Sequence, residues 1–260
     1  MDIWEANSMA TALTPHTCSK TGSFLCSGDE CGRTAAGVCD KDGCGINPFG
    51  TGSKDFYGPG KTVDTSKPFT VVTQFVGEGA SSTLNSSSKR AGATVSEIRR
   101  LYVQNGKVIE NAPVMSSNTA ASSQAGVITQ DFCTSHNASS FLRLGGMDGM
   151  AESLDRGMVL VFSIWNSNGD FMNWLDSGNA GPCANTSGDP KLILQQNPQV
   201  SVTFSNIRWG DIGTTFNANN FTTASLAGAV PVKTSGASTS TAVTGGASIL
   251  LAILMAYLMI

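Results

Sequence analysis

The stretch Phe69-Thr70-Val71-Val72-Thr73-Gln74-Phe75-Val76 decides the fold class. Its β-branched and aromatic residues fall on both faces of an extended chain, as they do in a strand buried inside a sandwich. Downstream, residues 97–104 and 107–110 flank Asn105-Gly106. That dipeptide accepts positive φ at both turn positions, so the two runs read as a hairpin. Gly157 to Trp165 (GMVLVFSIW) is apolar on both faces and reads as the most buried strand of all. Val200, Val202 and Phe204 alternate with Ser201, Thr203 and Ser205, the pattern of a half-buried strand. Met147, Met150, Ala151 and Leu154 recur at helical spacing, which predicts a short helix over 147–154. Residues 111–140 show no period and are expected to be irregular. Short strands with turn-rich connections point to an all-β sandwich or jelly roll.

Composition agrees. Charged residues are only 13% of the chain and Gly is abundant, which suits a loop-rich secreted protein. A formal net charge of −3 with no basic cluster leaves no electrostatic footprint for nucleic acid. The only two histidines, His16 and His136, are far apart in sequence, so a zinc site is not expected.

From Ser8 to Gly60 the chain is rich in turns and carries five of the seven cysteines, Cys18, Cys26, Cys31, Cys39 and Cys44. No CxxC knuckle occurs among them, so disulfide-pinned loops in an oxidising compartment fit better than a zinc ribbon. Sequons at Asn85, Asn137, Asn185 and Asn220 also suit secretion. The first residues lack the apolar core of a signal peptide, and the cysteine count is odd, so sequence is expected upstream.

The C-terminal part is different material. Residues 217–248 are rich in Ser, Thr, Ala and Gly and are expected to be a disordered linker. Residues 249–260 (ILLAILMAYLMI) are almost wholly apolar but too few to span a bilayer comfortably. Together with the small residues Ser235, Gly236 and Ala237, they match a glycosylphosphatidylinositol attachment signal, which would tie an extracellular protein to the cell surface.

The chemistry concentrates at Met1-Asp2-Ile3-Trp4-Glu5-Ala6-Asn7, read as the end of a strand. Two carboxylates three positions apart would point to opposite faces of a regular strand. One extra residue in a β-bulge near Ile3 or Trp4 would bring Asp2 and Glu5 together, and bulges favour active sites. Retaining cleavage of a glycosidic bond needs such a pair, one carboxyl as nucleophile and one as acid/base. Taken alone, Asp-x-x-Glu is more often a solvated pair.

The surroundings settle the choice. MDIWEANS, then Leu13-Thr14-Pro15-His16, Asp42-Gly43-Cys44, Phe56-Tyr57-Gly58-Pro59-Gly60, Val71-Val72-Thr73-Gln74-Phe75, Gly157-Met158-Val159-Leu160-Val161, Trp174-Leu175-Asp176-Ser177 and Val202-Thr203-Phe204-Ser205-Asn206-Ile207 resemble glycoside hydrolase family 7 over residues 1–216. The resemblance implies a concanavalin-like β-jelly-roll sandwich with long disulfide-pinned loops and one or two short helices. The sandwich would be incomplete, because the family's N-terminal half is absent. In the family motif Glu-x-Asp-x-x-Glu the last Glu is the acid/base and lands on Glu5. The Asp that supports the nucleophile lands on Asp2. The first Glu, the nucleophile, falls before Met1. The resemblance also implies that Cys18 pairs with Cys39, Cys26 with Cys31 and Cys44 with Cys133, leaving Cys183 for a partner in the absent half.

Trp165 and Trp174 match the family's substrate-platform tryptophans, although by position alone each reads as core packing. His16 and Asp42 match positions that hydrogen-bond sugar hydroxyls. The short, arginine-free segment from Trp174 to Cys183 (WLDSGNAGPC) resembles the open-cleft endoglucanases rather than the tunnel-forming cellobiohydrolases. The resemblance therefore implies a retaining endo-β-1,4-glucanase acting on cellulose or a related β-glucan, monomeric, needing no cofactor or metal, and inactive as this chain alone. The competing expectation is a non-catalytic, cell-surface carbohydrate-binding jelly-roll protein.

Overall fold

A computed structural model describes residues 1–31, 37–77, 94–114 and 126–216, together with the backbone of 253–257. Two strands open the chain, β1 (Asp2–Ala6) and β2 (Thr11–Thr14). A long turn-rich region follows, with one 3₁₀ turn at Gly28–Cys31 and a parallel pair of two-residue strands, β3 (Tyr57–Gly58) and β4 (Val63–Asp64). The main sheet is then built from β5 (Phe69–Val76), β6 (Glu97–Gln104), β7 (Lys107–Glu110) and β8 (Val127–Thr129). It is completed by β9 (Thr203–Arg208) and β10 (Ile253–Tyr257), in the order β7-β6-β5-β10-β9, with β8 beside β6.

β5 is buried along nearly its whole length, as its two-sided apolarity predicts. It runs antiparallel to β6 from Thr70 opposite Val103 to Val76 opposite Glu97. β6 turns into β7 through Asn105 (φ 53°) and Gly106 (φ 73°), both in the left-handed region that the hairpin turn requires. The same edge of β6 also takes β8, so Leu101–Gln104 face β7 and Glu97–Arg99 face β8.

Residues 111–114 and 126–140, the described part of 111–140, are more ordered than the lack of period suggested. They hold β8, the helix α1 (Gln130–Ser135) and the start of α2 (Ser139–Arg143). The Thr129 side chain caps α1 by accepting from the Phe132 N–H at 3.0 Å, and the Cys44–Cys133 bridge crosslinks it. The helix predicted over 147–154 lies within α3 (Gly146–Arg156), whose buried face is Met147, Met150 and Ala151. With α4 (Asn173–Asp176) and α5 (Pro190–Gln196) this makes five short α-helices among the described residues, where one or two were expected.

Two apolar clusters hold the layers together. One joins Leu13, Ile46, Phe75, Ile98 and Ile128 to Phe132, Phe141 and Met150 of the helices. The other is aromatic, with Phe56, Tyr57, Phe69 and Tyr102 meeting edge-on or tilted at 5.8 to 6.1 Å and Trp4 of β1 packed against them. The disulfides Cys18–Cys39, Cys26–Cys31 and Cys44–Cys133 pair as the resemblance implied, and Cys183 is free.

The segment Gly157 to Trp165 corrects the reading of it as the most buried strand. It forms no strand, and Val159 and Val161 are 89% and 74% exposed. A strand interior needs a free edge for its N–H and C=O groups. Beside β5 that edge is held by Ile253–Tyr257, with Phe69 opposite Ala256 and Val72 opposite Ile253, while Tyr257 on the far side faces Thr203 of β9. The segment touches the sheet through Phe162, whose ring lies 4.9 Å from that of Phe204. The alternation around Val200 is also displaced, since Val200 is exposed and the strand begins at Thr203. The expected linker at 217–248, including Ser235–Ala237, and the sequons at Asn85 and Asn220 lie outside the described residues.

Candidate active site

β1 and β2 form an antiparallel pair in which Asp2 lies opposite Thr14, Glu5 opposite Ala12 and Ala6 opposite Thr11. The register shifts between Asp2 and Glu5, so three steps along β1 match two along β2. That extra residue is the bulge the spacing called for, and it puts both carboxylates on one face. Three contacts hold β1 in this shape. The Trp4 indole N–H donates to Thr11 Oγ1 at 2.9 Å. The guanidinium of Arg100, buried in β6, donates to the carbonyl of Ile3 inside the bulge. Asn7 closes the turn, its Oδ1 accepting from the N–H groups of Met9 (2.8 Å) and Ala10 (3.0 Å).

Both carboxylates are half-buried. Burial, aided by the negative charge of Asp2, pushes the Glu5 carboxyl up to about 7. Asp2 moves the other way, because a hydrogen bond from His16 holds it below the ordinary carboxylate range. His16 Nε2 lies 2.8 Å from Asp2 Oδ2. Two neighbouring carboxyl groups are thus driven apart, one kept ionised and one able to carry a proton near neutrality. Such a divergence marks acid/base sites.

His16 also faces Asp40, with Nδ1 3.7 Å from Oδ2 of a carboxylate that is fully buried. Asp42 is exposed, and its N–H donates to Asp40 Oδ1 at 3.1 Å. Gly43 makes room for the ring: a Cβ there would stand 2.8 Å from His16 Cε1 and 2.2 Å from Thr14 Cγ2.

The two candidate platform residues meet each other. Trp165 and Trp174 stack with ring centroids 6.3 Å apart and planes 20° from parallel. They are 54% and 43% exposed, so the core-packing reading of their positions does not hold. Trp174 sits on α4, which is tied to β1 by a bond from Asn7 Nδ2 to Oδ2 of the buried Asp176 at 2.7 Å. Asn47 adds a second tie, donating through Nδ2 to the carbonyls of Leu175 and Ala180 at 2.9 Å each. Cys183, next to this region, has its thiol pushed up to about 11 by burial and by Asp176.

The structure therefore gathers Asp2, Glu5 and His16 into one cluster and pairs Trp165 with Trp174. It adds residues that the sequence reading passed over: Asp40, Arg100, Asn7 and Asp176. The signal for Asp40 was its place beside Cys39 and two residues before Asp42. For Arg100 it was a cation on the strand face shared with Ile98 and Tyr102.

Glycosyl hydrolase family 7 is the family whose model matches the chain, over residues 1–216. An endo-beta-1,4-glucanase celB of Aspergillus oryzae is 53% identical over 216 residues, covering 83% of this chain and 48% of the relative. A probable endo-beta-1,4-glucanase celB of Aspergillus terreus is 55% identical over the same length and share of each. The chain spans about half the length of the curated relatives it matches. Among solved structures, a double mutant of the Humicola insolens endocellulase EGI superposes with a TM-score of 0.73 at 44% identity, over 84% of this chain and 50% of that one. An endoglucanase I complexed with cellobiose gives 0.64 at 45% identity, over 75% and 46%. The architecture is that of the jelly-roll sandwiches these neighbours share.

Proposed function

The chain belongs to glycosyl hydrolase family 7, and on that premise we propose that it is part of a retaining endo-β-1,4-glucanase acting on cellulose or a related β-glucan. In this reading Glu5 is the acid/base. It protonates the leaving glycosidic oxygen, then takes a proton from the water that resolves the glycosyl-enzyme intermediate. Asp2 orients and tunes the nucleophile, which the family motif places before Met1. Trp165 and Trp174 offer flat apolar faces to pyranose rings and Asp42 bonds sugar hydroxyls, whereas His16, expected to do the same, gives its Nε2 to Asp2. The reading rests above all on the bulged placement of Asp2 and Glu5 on one face, with Glu5 held near neutrality. The endoglucanase names of the similar proteins support the substrate class.

The direct test is a hybrid in which residues 1–216 replace the matching half of the Aspergillus oryzae relative. It should release reducing ends from carboxymethylcellulose and lose that activity with Glu5→Gln. The 260-residue chain alone lacks the motif's nucleophile and is expected to release none; turnover by it would refute this assignment of roles.

The exposed Trp165–Trp174 stack favours a second reading, a non-catalytic carbohydrate-binding protein. A hybrid that binds cellotetraose without hydrolysing cellulose, with affinity that survives Glu5→Gln and is lost with Trp174→Ala, would decide for the binder. We also infer secretion, supported by three disulfides, and cell-surface attachment through a lipid signal in the apolar tail, a state in which residues 253–257 would leave the sheet. Mass spectrometry of the mature C-terminus checks the latter: an intact tail defeats it.

A further inference from the structure

The Asp40–His16 contact is not used by the chemistry described above. Asp40 comes from the loop that follows Cys39, its backbone N–H bonded to the Thr17 carbonyl at 2.8 Å. Its Oδ1 is held by the Asp42 N–H, so Oδ2 has a fixed direction. That oxygen is buried without a hydrogen-bond partner, and so is His16 Nδ1. The two orphaned atoms face each other across 3.7 Å. A carboxylate oxygen opposite a bare imidazole lone pair would leave two buried acceptors uncompensated, which is unfavourable for both. One proton between them satisfies both.

We propose that Asp40 is a positioning residue: His16 sits between two carboxylates as an imidazolium that has taken a second proton from solvent, its Nδ1–H turned toward Asp40 and its Nε2–H thereby aimed at Asp2. The Asp40–His16–Asp2 chain keeps Asp2 ionised and oriented, and the charge on Asp2 in turn favours the protonated form of Glu5. Asp40 touches neither carboxylate of the pair and acts only through the imidazole. The missing side chain of Gly43 leaves the room that the ring occupies, so packing admits the ring and the hydrogen bonds aim it. This inference rests on the roles proposed for Asp2 and Glu5, but the contact itself can be read without any substrate.

The experiment uses the full 260-residue chain labelled with ¹⁵N-histidine, and long-range ¹H–¹⁵N correlation of both imidazoles at pH 7. In the parent, His16 Nδ1 should show a bonded proton, slow enough in exchange to be seen at low field. In Asp40→Asn that Nδ1–H signal should vanish, while the signals of His136 stay in place as the internal control. In Asp2→Asn it should persist and only Nε2 should shift. A bare Nδ1 in the parent overturns the proposal without need of any variant, as does an Nδ1–H signal that survives Asp40→Asn. Because the readout is the imidazole alone, its outcome is separate from whether the hybrid enzyme turns over cellulose.

Discussion

Asp2 and Glu5, three residues apart in the chain, stand on one face of β1 because they lie opposite Thr14 and Ala12, which are two apart on β2. The bulge brings their charges within mutual influence, and His16 then divides them by bonding only Asp2.

Removing the charge of Asp2 should lower the titration of Glu5. In Asp2→Asn, ¹³C NMR of the carboxyl groups should show Glu5 moving down from about 7. It should not return to its ordinary value near 4.5, because burial is the larger cause and stays. An unchanged midpoint would show that the two carboxyls do not interact.

Stability should depend on pH with opposite signs for the two residues. The folded state holds the Glu5 proton to about 7, whereas the unfolded chain loses it near 4.5. Folding therefore binds a proton between those values, and the Glu5 contribution falls as pH rises through that window. Glu5→Gln should gain stability relative to the parent at pH 8 and gain little at pH 4. Asp2 is lowered in the folded state, so its contribution is present above pH 3.8 and is lost as pH falls below that. Urea denaturation across pH 3 to 8 measures both.

The Asn7–Asp176 bond ties α4, and with it Trp174, to the end of β1. Asn7→Asp keeps the turn acceptor but sets a carboxylate against the buried Asp176, and should cost about 2–3 kcal/mol at pH 7. The exchange Asn7→Asp with Asp176→Asn restores a donor and an acceptor and should recover most of that loss. Denaturant midpoints of the single and double variants decide the matter.

The correction at Gly157 to Trp165 is also testable. Val159 faces solvent, so Val159→Asp should change stability by less than about 0.5 kcal/mol. Val72, fully buried in β5, should lose several kcal/mol, about 3 or more, on the same change. Equal losses would place 157–165 inside the sheet.

How much of this was legible varies by element. The Asn105-Gly106 hairpin, the buried β5 and the α3 face are local patterns, set by backbone preference and by which side chains avoid water. The bulge was legible indirectly, since an odd spacing of two functional carboxylates requires one. The disulfide pairing and the choice of Trp165 and Trp174 as candidate platforms came through family resemblance, not through spacing. Asp40 was not legible, because its role depends on Oδ2 meeting Nδ1 of a residue on another loop. Nor was the winner of the slot beside β5. Gly157–Trp165 and Ile253–Tyr257 are both apolar runs suited to a sheet interior, and hydropathy ranks neither above the other.

By itself, then, the sequence determined which segments seek a sheet interior, which turns they can make, and that Asp2 and Glu5 are candidates for one site if a bulge joins them. The tertiary structure alone decided which apolar run occupies the sheet, that Asp40 and Asp2 share His16, and that Trp165 and Trp174 stack in the open. The physical reason is that propensity and apolarity belong to single residues and short windows. A hydrogen bond or a ladder position belongs to a pair, and distant pairs are brought together only by the fold.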